Sequence, residues 1–203
     1  MLMNKIETLT INNPVRSLVQ HFVEARLLRK KGGYLNGGTA LEIGCGRGEG
    51  ARIILDRFGA ERVVGIDLDP AQVERAQRRL PKKYQKRVEF QTGDAAKLRF
   101  TDQTFDAVFD FGILHHVPEW RPALREVHRV LKPGGRFYFD EVLRGFLETR
   151  AARSLFVHPQ EGHFSAAEFE HACRAAGFEM SGRVTTIGTW FAIGVAIRPS
   201  DGI

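Results

Sequence analysis

The chain has 203 residues, 43% of them apolar and 27% charged, which suits one domain with a core of its own. No apolar run approaches the roughly 18–20 residues of a membrane span. The first ten residues mix Asn4, Lys5 and Glu7 where an export signal carries an apolar stretch, and two cysteines, Cys45 and Cys173, build neither a disulfide framework nor a zinc ribbon. The expectation is a soluble, cytoplasmic protein whose net charge of +6 favours anionic partners at long range without bearing on the fold.

In chain order, Pro14–Lys30 carries Val15, Leu18, Val19, Phe22 and Leu27 among charges, the pattern of an amphipathic helix. Short β-branched and apolar runs then alternate with helical stretches. The strands expected are Thr39–Ile43, Arg62–Asp67, Val88–Thr92, Phe105–Asp110 and Arg136–Asp140, each fit for burial on both faces. Asp69-Pro70 caps a helix reaching about Leu80, and Trp120, Leu124, Val127 and Leu131 form one apolar stripe on a helix over Glu119–Leu131, which Lys132-Pro133-Gly134-Gly135 stops. Glu141–Phe164 has little periodicity and is long for a connection, so it is expected to be a functional lid. Ser165 and Gly177 bracket a last helix, and Phe178–Thr186 and Trp190–Ile197 read as a hairpin around Ile187-Gly188-Thr189. Alternation of this kind implies a parallel α/β sheet ending in an antiparallel pair.

The strongest local signal is Leu41–Gly50, a glycine loop between the first strand and the helix after it, where an α/β sheet brings backbone against a nucleotide. Gly44, Gly46 and Gly48 permit a tight turn, but a dinucleotide fingerprint needs glycine where this chain has Glu49. Glu42 and Glu49 repel a pyrophosphate and suit the cationic amino and sulfonium groups of S-adenosylmethionine, which weighs against a nicotinamide enzyme. Asp67 ends the second strand, where an acid accepts both ribose hydroxyls, and Asp94 follows the third, placed to accept a bond from the adenine amino group.

Five motifs in order now carry a resemblance: Leu41–Gly50, Val64–Asp69, Gly93-Asp94-Ala95, Phe105-Asp106 with Leu114-His115-His116-Val117, and Arg129–Gly135. The chain resembles the class I S-adenosylmethionine-dependent methyltransferases, in the compact group with many small-molecule methylases and the quinone C-methylases. The resemblance implies a Rossmann-like three-layer α/β sandwich, a seven-stranded, mostly parallel sheet with its last strand antiparallel. It implies that Gly44 and Gly46, with Cys45 between them, approach the methionine moiety, that Asp67 holds the ribose, and that Leu68 packs on adenine. Asp94 with Ala95 reads the adenine edge, and Asp110 and Phe111 line the methyl end. S-adenosylhomocysteine is then the product.

The methyl acceptor must approach over the carboxyl ends of the strands, beneath the N-terminal helix and the lid. Methyl transfer needs alignment and exclusion of water above all. An acceptor that starts protonated also needs a base, for which His115, His116 and Glu141 are the candidates beside a pocket-wall, hinge or helix-cap role. Arg144, Arg150, Arg153, His158 and His163 with Phe146, Leu147, Leu155 and Phe156 make the lid basic and apolar, fit for an acid with a hydrophobic body. His158 and His163 alone do not make a metal site. Basic residues at Arg26–Lys31 and from Arg75 to Arg87 lack interleaved aromatics and the Asn-Pro-Pro-aromatic motif, so a nucleic-acid acceptor ranks below a small molecule. A binder of the cofactor without turnover is the other alternative, and membrane contact through the short N-terminal helix is weak at most. The expected organisation is one domain: a helical cap (1–36), a cofactor core (37–140), a lid (141–164), and a helix with terminal hairpin (165–203). The sequence leaves the acceptor and oligomeric state open.

Overall fold

The computed structural model describes residues 23–155 and 162–200. Among these, β1 (Thr39–Ile43), β2 (Arg62–Asp67), β3 (Val88–Thr92), β4 (Phe105–Phe111), β5 (Leu131–Val142), β6 (Glu179–Met180), β7 (Thr185–Ile187) and β8 (Phe191–Ile197) form one sheet in the order β3-β2-β1-β4-β5-β8-β6, with β7 also paired to β8. The first five strands are parallel, and β8 runs antiparallel to β5. The chain starts at β1 and winds outward in both directions, so the β1–β4 seam is the switch point where a crevice opens above the carboxyl ends.

Side-chain alternation produces the three layers. From β4 and β5, Val108, Phe137 and Phe139 pack with Trp120, Leu124 and Val127 of α4 (Trp120–Val130) and Phe169 of α7 (Ala166–Ala175). Their neighbours Ala107, Phe109 and Tyr138 face the other way, with Leu28 of α1 (Ala25–Gly32) and Val73 of α3 (Pro70–Arg79). On that same face Ile53 ends α2 (Glu49–Ile53), which continues as a wider turn through Phe58. A strand buried on both faces cannot alternate with polar residues, which is why these runs are apolar throughout.

Boundaries differ from expectation where tertiary pairing outweighs local signals. The Lys132–Gly135 stretch does not form a turn outside the sheet: β5 begins at Leu131, opposite Phe105, and an irregular register before Ala107 absorbs the extra residues. The single strand expected over Phe178–Thr186 is split, giving eight strands. Ser181 donates its N–H to the Val195 carbonyl at 2.8 Å, Gly182 turns with φ of 76°, and pairing resumes at Thr185. The hairpin turn shifts by one residue, with Ile187 paired to Phe191.

The lid is not an irregular loop. β5 runs on to Val142, and α5 (Arg144–Leu147) and α6 (Arg150–Leu155) follow, with Leu147 and Ala152 buried. Its base is pinned where Arg144 N–H reaches the Phe164 carbonyl at 2.9 Å. The 14–22 part of the expected N-terminal helix, and Phe156 and His158 of the lid, lie outside the described residues; the helix itself continues past Lys30 to Gly32. Among the described residues no helix is long and apolar enough to cross a membrane.

Candidate active site

Burying a polar group costs free energy unless a partner answers it. Among the described residues Glu42, Asp110, His115, His116, Asp140 and Glu141 are all buried, and all gather at the carboxyl ends of β1, β4 and β5 and the turn after β4. The strands that make the core thus end in titratable groups.

In the loop after β1, Gly44, Gly46 and Gly48 all have positive φ. At Gly44 a Cβ would lie 2.5 Å from Ile113, and at Gly50 it would overlap the Glu42 carboxylate. Both positions need glycine so that the loop can close against the strand ends. Cys45 donates its N–H to the Ile66 carbonyl at 2.8 Å, fastening the loop to β2, and burial pushes its thiol pKa up. Asp67 accepts the Gly46 N–H at 2.8 Å on one oxygen and the Asp69 N–H at 2.9 Å on the other. Partial burial raises its pKa despite those bonds. Asp94 is exposed and accepts the Ala96 N–H at 2.8 Å, shaping the turn that presents the buried Ala95.

Glu42 is the clearest sign of a missing partner. Its carboxyl is buried, Oε2 has no hydrogen-bond partner among the described residues, and burial first, then the Asp67 and Glu49 charges, hold its pKa well above the usual carboxylate range. A cation placed there would answer it. Leu68, at 56% exposed, offers an apolar face beside Asp67. An orphaned acid, a loop closed by glycines, a half-buried acid at the end of β2 and an exposed leucine next to it fit the amino group, methionine chain, ribose and adenine of S-adenosylmethionine.

The β4–β5 side of the crevice is built differently. Glu141 Oε1 accepts the Leu114 N–H at 2.7 Å, and Oε2 accepts the Val142 N–H at 3.1 Å and lies 2.7 Å from His115 Nδ1. Asp110 accepts the Ile113 N–H at 2.9 Å. Burial, then the neighbouring Glu141, keeps Asp110 well above the carboxylate range, and burial raises Glu141 to about 7. The His115 and His116 rings are 4.1 Å apart, and Phe111 is partly exposed, its ring 5.8 Å from that of Phe109. Asp140, whose charge bears on both acids, is a member that sequence reasoning did not single out. The available signal was an Asp-Glu pair continuing the apolar run Phe137-Tyr138-Phe139 without a turn residue between them.

The basic lid reading is corrected at Arg144. Its guanidinium donates to the His163 carbonyl at 2.7 Å and to Glu168 at 3.0 Å, tying the lid to the Ser165–Glu168 capping box. The Ser165 N–H and hydroxyl, and after them the Arg144 guanidinium, hold Glu168 at about 2. Arg150 and Arg153 are exposed on α6. Of the basic clusters, Arg29 and Lys31 donate to main-chain carbonyls of Arg57 and Arg183, while Arg78 and Arg79 in the last turn of α3 and Lys82, Lys83 and Lys86 beyond it are exposed.

Residues 41–139 match the family model described as a methyltransferase domain. A probable S-adenosylmethionine-dependent methyltransferase of Mycolicibacterium smegmatis is 34% identical over 79% of this chain and 58% of its own length. Phosphoethanolamine N-methyltransferase 2 of Caenorhabditis elegans is 33% identical over 61% of this chain and 28% of its own. The chain thus spans less than two thirds of the length of these curated relatives. The crystal structure of an S-adenosylmethionine-dependent methyltransferase from Aquifex aeolicus superposes with a TM-score of 0.74 at 22% identity, over 94% of this chain and 96% of that one.

Proposed function

The chain belongs to the class I S-adenosylmethionine-dependent methyltransferases, and on that premise we propose that it methylates a small molecule whose accepting atom begins protonated. S-adenosylmethionine is the cofactor of this family and supplies an activated methyl group. Glu42, Gly44, Cys45 and Gly46 hold its methionine portion, Asp67 its ribose, and Leu68, Asp94 and Ala95 its adenine, with Asp110 and Phe111 toward the methyl end.

One observation carries the acceptor chemistry: the buried 2.7 Å contact between His115 Nδ1 and Glu141 Oε2. Glu141 already accepts a main-chain N–H on each oxygen, so its ionised form is the better acceptor for an Nδ1–H. That tautomer leaves His115 Nε2 as the basic nitrogen. Nε2 takes the proton that the acceptor atom loses as it gains the methyl group. His116 forms the wall beside it, and Glu141 is a positioning residue. Dry surroundings and fixed partners align the reactants and exclude water, which is the protein's main contribution to a displacement of this kind.

The test measures S-adenosylhomocysteine release over a panel of small phenols, alcohols and amines with wild type, His115→Gln and His116→Gln. The reading expects release that collapses in His115→Gln with cofactor affinity retained. Full turnover in that variant would remove His115 from the mechanism. Release only with RNA in place of the panel would replace the small-molecule acceptor.

A further inference from the structure

Because β8 is antiparallel to β5, the β7–β8 hairpin turn lies at the same end of the sheet as Glu141. Glu141 pairs with Ala192 and Val142 with Phe191. The turn and the first turn of the lid are locked together: Leu143 N–H donates to the Trp190 carbonyl at 2.7 Å. At Gly145 a Cβ would collide with the hydroxyl and carbonyl oxygens of Thr189, so the two segments pack with no room for a side chain there. On this joint sit the Phe146 ring, 6.0 Å from Trp190 and 5.6 Å from Phe191. Trp190 is 49% exposed and Ile187 60% exposed. Exposed tryptophan and isoleucine on a rigid joint are costly to leave in water, and contiguous apolar patches of this kind mark binding surfaces.

We infer that Phe146, Ile187, Trp190 and Phe191 form a preformed ledge that binds the apolar body of the methyl acceptor, selecting acceptors with an alkyl or aromatic extension beyond the methylated group. The ledge is continuous with the methyl end of the crevice. It begins at Val142–Phe191, one step along the same sheet face from Asp140, which pairs with Phe111, the residue placed toward the methyl end, and Arg144, the cation that would have drawn an acidic headgroup there, is engaged with Glu168 and the His163 carbonyl. Naming the ligand an acceptor rests on the methyl-transfer reading above; the binding surface itself does not.

The two tryptophans make the test direct, since Trp120 is 1% exposed, so iodide-quenchable emission in the full chain belongs to Trp190. We expect 4-octylphenol, added with S-adenosylhomocysteine present, to shield Trp190 from iodide and shift its emission to the blue. Its half-effect concentration should be at least roughly tenfold lower than that of phenol, because only the octyl chain adds apolar area. Ile187→Glu should weaken the octylphenol effect by a similar factor, and Trp190→Phe should abolish the quenchable emission. Equal responses to the two phenols, or none, would overturn the inference. So would a Trp190 already shielded from iodide in the full chain without ligand, since another segment would then occupy the ledge. Whether bound 4-octylphenol yields S-adenosylhomocysteine from S-adenosylmethionine is read separately and bears on the catalytic reading alone.

Discussion

The two sides of the crevice hold their acids in opposite ways. Over β1–β3, Asp67 is half-buried and Asp94 exposed, each answered by main-chain N–H groups. Over β4 and β5, Asp110, Asp140 and Glu141 are buried with His115 and His116. The first side leaves its acids at the rim of the crevice, within reach of solvent and shaped by main-chain bonds. The second is preorganised and dry, where a proton has few places to go and the identity of its holder decides the chemistry. Glu42 stands between them, buried like the second set but with an orphaned oxygen.

The largest effect is expected on the dry side: His115→Gln should lower turnover by about 10²–10⁴-fold while cofactor affinity changes little, as for loss of a general base. On the open side, Asp67→Ala should weaken cofactor binding by roughly ten- to a hundredfold, measured calorimetrically in a folded variant, through loss of charge-assisted bonds. Unchanged affinity there would move the ribose contact elsewhere.

Glu42 sharpens the boundary. Its pKa is raised by burial, so a bound cation that favours the carboxylate should expel a proton. The calorimetric enthalpy of S-adenosylhomocysteine binding should then depend on the buffer's ionisation enthalpy at mildly acidic pH, and Glu42→Gln should remove that dependence. Methylthioadenosine, which lacks the amino group, should show none.

The smallest effect concerns stability. Glu141 is raised from the ordinary value to about 7 by burial, so between about pH 4.5 and 7 the folded protein binds more protons than the unfolded one. Unfolding free energy should therefore fall as pH rises through that window and level off above it. Asp110 and Glu42 contribute in the same direction. Urea titrations of Glu141→Gln should give a shallower decline, by about 1 kcal/mol or more across the window. A wild-type stability that rises over the same range would mean the buried acids are ionised in the fold.

Much of this was legible in the sequence because the signals are local. The strands β1–β4 and the Asp69 and Ser165 caps each depend on residues within a few positions, so periodicity and turn chemistry find them. The same holds for the glycine loop, whose spacing with Glu49 argues against a dinucleotide, and for the acids at the ends of β1 and β2 and just after β3. What misled was also local. The Lys132–Gly135 stretch carries turn residues yet lies within β5, since pairing with β4 outweighs propensity.

Tertiary structure alone decided which groups meet. Nothing in the spacing of His115 and Glu141 predicts a contact; parallel pairing of β4 with β5 brings the turn after one beside the end of the other. Nothing in the lid's composition reveals that Arg144 is bound to Glu168, or that Trp190 and Phe146, 44 positions apart, share a surface at the mouth of the crevice. Composition and periodicity fix which face of each element is apolar. The register of one strand against another decides which polar ends are buried together, and that burial sets their protons and so their chemistry.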